Sequence, residues 1–317
     1  MPFLHRFIAA LAVFLACGAH ATEPPMALAQ VAPNTYYVQG LSSLGSRENQ
    51  NFISNAGFVV GPQGVVVIDA LGSPRAAERL TNLIRGLTPK PITHVIVTHY
   101  HADHIYGLQH FKALGARIVA HRAGLEYLNS ETAQLRLQAS RQDLAPWIDG
   151  GTRLVPADQW ITGATTLTLA GLELRLLPVG PAHTPEDLTV LVPSENVLFA
   201  GDLVFSGRLP YVGRADSSHW IAALDALRQQ RLAAIVPGHG PASTRPEADL
   251  LMTRNYLAYL RSSMKQAVDN MLAFDEAYAQ TDWRAFEAVP LFGPANRMNA
   301  YNTYLTLEQE FMDDMKK

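Results

Sequence analysis

The stretch Thr98-His99-Tyr100-His101-Ala102-Asp103-His104 constrains this chain more than any other. Three histidines and one aspartate fall within residues 99–104. Val95-Ile96-Val97 precede them, a β-branched apolar run that predicts a buried strand. Ile105-Tyr106-Gly107-Leu108 follow with the apolar spacing of an opening helix. The polar side chains therefore sit on the turn leaving a strand, where α/β sheets place their sites. Imidazole and carboxylate are the usual ligands of zinc and similar borderline metals. On such a turn His99 and His101 can grip one ion while Asp103 and His104 turn towards a second. A solvated polar strand end would account for a lone histidine, but not for four ligand-type residues in this order.

Three further residues repeat the pattern of strand, Gly or Pro break, then ligand. His183 follows Gly180-Pro181-Ala182 after the apolar run 172–177. Asp202 ends Leu198-Phe199-Ala200-Gly201, and His239 follows Ile235-Val236-Pro237-Gly238. With the first cluster they make seven ligand-type residues, enough for two metals sharing one bridging carboxylate.

The HxHxDH motif at 99–104, followed in order by His183, Asp202 and His239, resembles the metallo-β-lactamase-fold hydrolase superfamily over roughly residues 36–241. That resemblance implies an α/β fold, an αββα sandwich of two mixed β-sheets flanked by helices. It implies that His99, His101 and His183 hold one metal, that Asp103, His104 and His239 hold the other, and that Asp202 bridges both. It further implies a pair of zinc ions, with iron or manganese left open by ligand type. The implied reaction is attack by a metal-activated hydroxide, with Asp103 orienting the nucleophile and later carrying a proton.

Departures within the superfamily narrow the expectation. The exported lactamases with a metal-binding cysteine carry it where Asp202 stands, usually with Arg where His104 stands. Another lactamase class has Ser in place of Asp202. The set here is similar to that of glyoxalase-type thioesterases, lactonases and related hydrolases. The redox diiron branch usually has Glu at the position of His101. A transfer-RNA-processing branch shares these ligands, but this chain has a formal net charge of −3 and no basic stripe, so nucleic acid is not an expected partner. The expected substrate is a small ester, thioester, lactone or β-lactam.

Residues 1–21 read as an export signal: Arg6, an apolar core from Phe7 to Ala16, and Ala19-His20-Ala21 as a small-x-small cleavage site. An uncleaved anchor is the alternative, although the run is short for a bilayer span. Phe14-Leu15-Ala16-Cys17 also faintly resembles a lipoprotein box. Cys17 is the only cysteine, so cleavage after Ala21 would leave neither a disulfide nor a thiolate ligand. A periplasmic location without stable membrane insertion follows as the expectation.

The remainder divides into 22–244, the metallo-β-lactamase-fold domain, and 245–317, an amphipathic helical extension packed on it. Strands are expected over 35–40, 51–60 and 65–68, with Gly61-Pro62-Gln63-Gly64 as the turn of a hairpin. Asp69 closes the last of these, either bracing the metal loop, as a feature of the family does, or capping the strand. The polar loop 41–50 corresponds to a connection that often overhangs the site in the family. Ser73 and Pro74 predict a helix start, with the helix running to about Arg85. Further strands are expected at 94–98, 117–120, 165–169, 172–177, 188–192 and 197–199, with helices over 132–143, 247–274 and 303–312. His94, His110, His121 and His219 read as structural.

Tyr100, Tyr106, Arg208 and Tyr211 are candidates for lining the pocket, and Arg208 for holding a substrate carboxylate. The Lys that some lactamases carry shortly after the position of Asp202 is absent, since Leu203-Val204-Phe205 stand there. The segment 296–307, with Asn299, Tyr301, Asn302 and Tyr304, is weakly similar to the end of the quinoprotein relay system or sulfur-oxidation-linked branch. That similarity frames the alternative role, an accessory metalloprotein of a periplasmic oxidation system.

Overall fold

Runs such as Val65-Val66-Val67-Ile68 carry no polar face, so each must be covered on both sides. The computed structural model, which describes residues 23–316, shows how. The first half contains β1 (Leu28–Ala32), β2 (Thr35–Val38), β3 (Ala56–Val60), β4 (Val65–Ile68), α1 (Pro74–Leu87), β5 (Ile92–Ile96), α2 (Ala102–Ile105), α3 (Leu108–Ala113), β6 (Arg117–His121), α4 (Gly124–Leu128), α5 (Glu131–Asp143) and β7 (Gln159–Ile161). The second contains β8 (Thr165–Leu169), β9 (Leu172–Pro178), β10 (Leu188–Val192), β11 (Val197–Phe205), α6 (Ser217–Leu227), β12 (Ala234–His239), α7 (Pro246–Asp269), α8 (Phe274–Gln280) and α9 (Phe292–Asp314). The expected signal segment lies outside the described residues.

Strands β1 to β7 form one sheet in chain order, antiparallel through β4 and parallel from β4 to β7. The second sheet has the order β12-β11-β10-β9-β8, with only β11 and β12 parallel. Side chains alternate between two apolar layers with the strand period of two. Val66, Ile68, Ile96 and Val119 meet Leu174, Val190, Phe199 and Val236 between the sheets. Val65, Val67, Val95 and Ile118 face outward and are covered by Ala77, Leu80 and Ile84 of α1, Phe111 of α3 and Leu137 of α5. Leu198 and Ile235 face the other way, onto Trp220 of α6, Leu257 of α7 and Ala300 of α9. The result is the expected αββα sandwich, and the C-terminal helices share one apolar layer with the second sheet.

Several boundaries moved for local reasons. The strand expected from Asn51 begins only at Ala56, because Gln50 and Asn51 take positive φ (56° and 55°) and Asn51 Nδ2 donates to the Gly72 carbonyl at 3.0 Å. Strand β2 ends at Val38, and the Gly40 amide is bound instead by the Asn55 side chain at 3.0 Å. Strand β11 runs through Asp202 to Phe205, since pairing with β12 resumes beyond an irregularity at Gly201. The expected helix 247–274 stops at Asp269, shortly before Met271 at φ +52°, and a separate helix, α8, begins at Phe274. Helix α9 starts at Phe292, eleven residues before its expected start at Thr303. Ser73 caps α1 as expected, its hydroxyl accepting from the Ala76 amide at 3.1 Å.

A candidate metal centre

All seven residues expected as ligands converge: four beyond the end of β5, Asp202 within β11, His239 at the end of β12 and His183 on the loop between β9 and β10. His99, His101, His183 and Asp202 form one group and Asp103, His104 and His239 a second, with the ligand atoms of each group within 4.8 Å of one another. Asp202 lies between the groups. Its Oδ2 is 3.4 Å from His183 Nε2, 3.8 Å from His99 Nε2 and 3.3 Å from His239 Nε2, while Oδ1 is 3.2 Å from His104 Nε2. Asp103 Oδ2 is 3.3 Å from His239 Nε2 and 3.7 Å from His104 Nε2. Two glycines make this approach possible. A Cβ on Gly238 would fall 2.0 Å from Asp202 Oδ1, and one on Gly201 would fall 2.7 Å from Thr98 Oγ1.

Three of the imidazoles, those of His99, His104 and His239, are aimed by their other ring nitrogens. Asp69 is buried at φ +60°, and its Oδ1 accepts the Thr98 amide at 2.8 Å. Its Oδ2 accepts the Thr98 hydroxyl at 2.8 Å and His104 Nδ1–H at 2.9 Å. Thr98 Oγ1 in turn accepts His99 Nδ1–H at 3.1 Å. One carboxylate thus orients two rings, which favours the bracing role over the simple cap. His239 Nδ1–H donates to the Ile53 carbonyl at 2.7 Å. In each case Nε2 is left free to face the centre.

The chemistry of these atoms fits a cation. His99 Nε2, His104 Nε2 and Asp202 Oδ1 are buried without a hydrogen-bond partner among the described residues. His104 Nε2 and Asp202 Oδ1 are close, yet neither is aligned to bond the other. Buried polar atoms are rarely left so, because each orphan costs about 1–3 kcal/mol. A cation among them satisfies all at once. Burial holds His99 well below the ordinary imidazole range and lowers His183 to about 3, so both rings are neutral ligands at neutral pH. Burial alone would raise Asp202, but the rings of His239, His104 and His99 overcome it and hold the carboxyl well below its usual range.

Around the centre, Glu186 and Asp187 brace the loops. Glu186 Oε1 accepts the Tyr100 amide at 3.1 Å, tying the loop of His183 to the loop of His99. Asp187 accepts the Thr184 amide at 2.8 Å and the Thr184 hydroxyl at 2.7 Å. Asn55 accepts from the Gly40 amide and donates to the Pro237 and Gly240 carbonyls at 2.8 and 2.7 Å, which fixes the turn bearing His239. None of the three stood out in the sequence. Only the adjacency of Glu186-Asp187 to His183 could have pointed to the pair.

The expected pocket residues divide. Tyr100 and Tyr106 are buried in the apolar layer beneath α1 and α5, with Tyr100 near-stacked on Trp160 and Tyr106 within 3.3 Å of Ser140 Oγ, so neither lines an open pocket. Tyr211 is 43% exposed. Arg208 is only 6% exposed, with Nη1 at 3.3 Å from His239 Nδ1. That nitrogen already donates to Ile53, so it offers Arg208 no lone pair. Arg208 Nε has no hydrogen-bond partner among the described residues, and the guanidinium lies 5.8 Å from the centroid of the Phe205 ring. The loop 41–50 is fastened to the end of α5, where Arg47 donates to the Gln142 and Asp143 carbonyls at 2.6 and 3.0 Å.

The family model of the metallo-beta-lactamase superfamily matches residues 50–239, and the chain belongs to that superfamily. It is 26% identical over 255 residues to a linear primary-alkylsulfatase of Pseudomonas sp., covering 69% of this chain and 48% of that protein. It is 24% identical over 192 residues to a type 2 metallo-beta-lactamase of Bacteroides fragilis, covering 59% and 69%. Its fold superposes on the sec-alkylsulfatase Pisa1 from Pseudomonas sp. with a TM-score of 0.69 at 19% identity, covering 88% of this chain and 50% of that one. The chain therefore spans about half the length of the alkylsulfatases it matches.

Proposed function

We propose that this chain is a metal-dependent hydrolase whose seven convergent residues hold two zinc ions and act on a small ester-type substrate bearing an oxyanion. The set of partnerless buried atoms around Asp202 carries this reading, since cations there satisfy all of them together. His99, His101 and His183 hold one ion, Asp103, His104 and His239 the other, and Asp202 bridges. Bound there, the ions supply Lewis acidity and make water a nucleophile near neutral pH.

The chain's own residues do the rest. Asp69 and the Ile53 carbonyl hold the rings with Nε2 inward. The Asp103 side chain is 18% exposed, the most open of the ligand carboxylates, and is placed to pass a proton to the leaving group. Arg208 supplies a buried guanidinium with donors to spare, suited to a planar or tetrahedral oxyanion. The alkylsulfatase and lactamase relatives make sulfate esters and carboxylate-bearing β-lactams reasonable probes beside esters, thioesters and lactones.

The reading of residues 1–21 as an export signal supports a periplasmic location, which N-terminal sequencing of the protein from the periplasmic fraction tests. For the reaction, metal content and turnover are measured together, with and without chelator. The expected result is close to two zinc ions per chain and chelator-sensitive hydrolysis of one substrate class. Absence of bound metal under zinc-replete conditions overturns the assignment.

A further inference from the structure

Asn299 lies on α9, far along the chain from every candidate ligand, and is completely buried. Its Nδ2 donates to the Pro210 carbonyl at 2.8 Å, and its Oδ1 accepts the Val212 amide at 2.9 Å. Nδ2 also donates to the Tyr256 hydroxyl at 3.0 Å. That hydroxyl donates to Asn296 Oδ1 at 2.9 Å, and Asn296 Nδ2 donates to the Tyr278 hydroxyl at 3.1 Å. A buried amide is costly unless its bonds are complete, so an apolar side chain would be the simpler filler of a helical layer. Here the amide does what a neighbouring strand would do. It reads a carbonyl and an amide of one loop and fixes that loop in both place and orientation.

That loop carries Arg208. The C-terminal layer grips it three times, since the Leu209 amide also donates to the Pro290 carbonyl at 3.0 Å. On its other side the Ser206 amide donates to the His239 carbonyl at 2.9 Å. Arg208 therefore stands between an anchor on the His239 strand and an anchor on α9. With the flanking backbone held on both sides, the direction in which the Arg208 side chain leaves the loop is fixed, and its guanidinium is buried beside His239.

We propose that Asn299 is a positioning residue, through which α9 holds the Arg208 guanidinium beside His239 and so sets the preference for oxyanion-bearing substrates. This rests on the reading of Arg208 given above. The test uses the zinc-loaded mature chain and two ligands that no hydrolysis destroys. These are octane-1-sulfonate and the neutral octyl methyl sulfone, whose dissociation constants are measured by titration calorimetry.

The wild type binds the sulfonate more tightly than the sulfone. Arg208→Ala weakens sulfonate binding by about 10- to 100-fold, the range for a lost charge-assisted hydrogen bond, and leaves the sulfone unchanged. Asn299→Ala weakens the sulfonate about 5-fold or more and also leaves the sulfone unchanged. The double variant is no worse than Arg208→Ala, because both act through one group. Tyr304→Phe removes another bond from the same helix, to the Leu272 carbonyl, and shifts neither ligand. If Asn299→Ala does not fold, Asn299→Asp keeps the acceptor for Val212, loses the donor to Pro210, and gives the same comparison.

No sulfonate preference in the wild type, or no effect of Arg208→Ala, overturns both the Arg208 reading and this one. If Arg208→Ala acts but Asn299→Ala does not, or weakens both ligands equally, or adds fully in the double variant, the positioning role alone is overturned.

Discussion

Asp69→Asn isolates how one carboxylate aims two rings. Asn tolerates the positive φ of this position, so the backbone is not strained by the change. One amide oxygen can still accept the Thr98 amide, as Asp69 Oδ1 does at 2.8 Å. The amide nitrogen then replaces Oδ2, facing the Thr98 hydroxyl and His104 Nδ1–H at 2.8 and 2.9 Å. The hydroxyl can rotate and accept. The ring cannot, because two N–H donors would face each other. His104 relieves this by moving its proton to Nε2, the atom that points at Asp202 and the second group. A proton on the ligand atom competes directly with the metal. Loss of an orienting partner costs about 10- to 100-fold in metal affinity, or about 1.4–2.7 kcal/mol. The loss should fall on the ion held by His104, while the ion held by His99, His101 and His183 stays. Competition titration against a chromophoric chelator reads the two affinities separately. Wild-type affinity at both sites, or an equal loss at both, would refute the reasoning.

Three other outcomes follow from the same geometry. Gly238→Ala puts a methyl 2.0 Å from Asp202 Oδ1 and 2.7 Å from the Gly201 carbonyl carbon, so the folded variant should bind less than one zinc ion per chain by atomic absorption. Asp103→Asn, assayed at a zinc concentration that fills both sites, should lower turnover of the active substrate class by about 100-fold or more, the usual scale for a removed acid–base group. Asn55→Ala leaves one amide and two carbonyls of the Gly40, Pro237 and Gly240 peptides without their partner. It should destabilise the metal-free protein by about 3 kcal/mol, which calorimetry would record as a melting temperature lower by about 6–12 °C.

The ligands were legible because a metal centre needs particular side chains, and the turns that carry them leave a mark. Each of His99, His183, Asp202 and His239 stands just beyond an apolar run, beside a Gly or Pro break or a polar turn. The strands were legible for a related reason. Val65–Ile68 and Val197–Ala200 lack a polar face because both their faces are covered, one by the other sheet and one by helices. Tyr100 and Tyr106 show the limit of proximity. They adjoin the ligands in the chain, yet the local turn sends their rings into the layer under the helices.

What the sequence by itself determined is therefore the chemistry and the layers: which residues can bind a cation, and which runs must be buried on both sides. The tertiary structure alone decided which ring nitrogen of His104 and His239 faces the centre, because Asp69 and the Ile53 carbonyl, distant in the chain, bind the other one. It alone joined α9 to the site, through a buried asparagine that grips a loop 87 residues earlier in the chain. Such contacts leave no local periodicity, since hydrogen bonds between distant segments depend on where the backbone returns and not on the spacing of residue types.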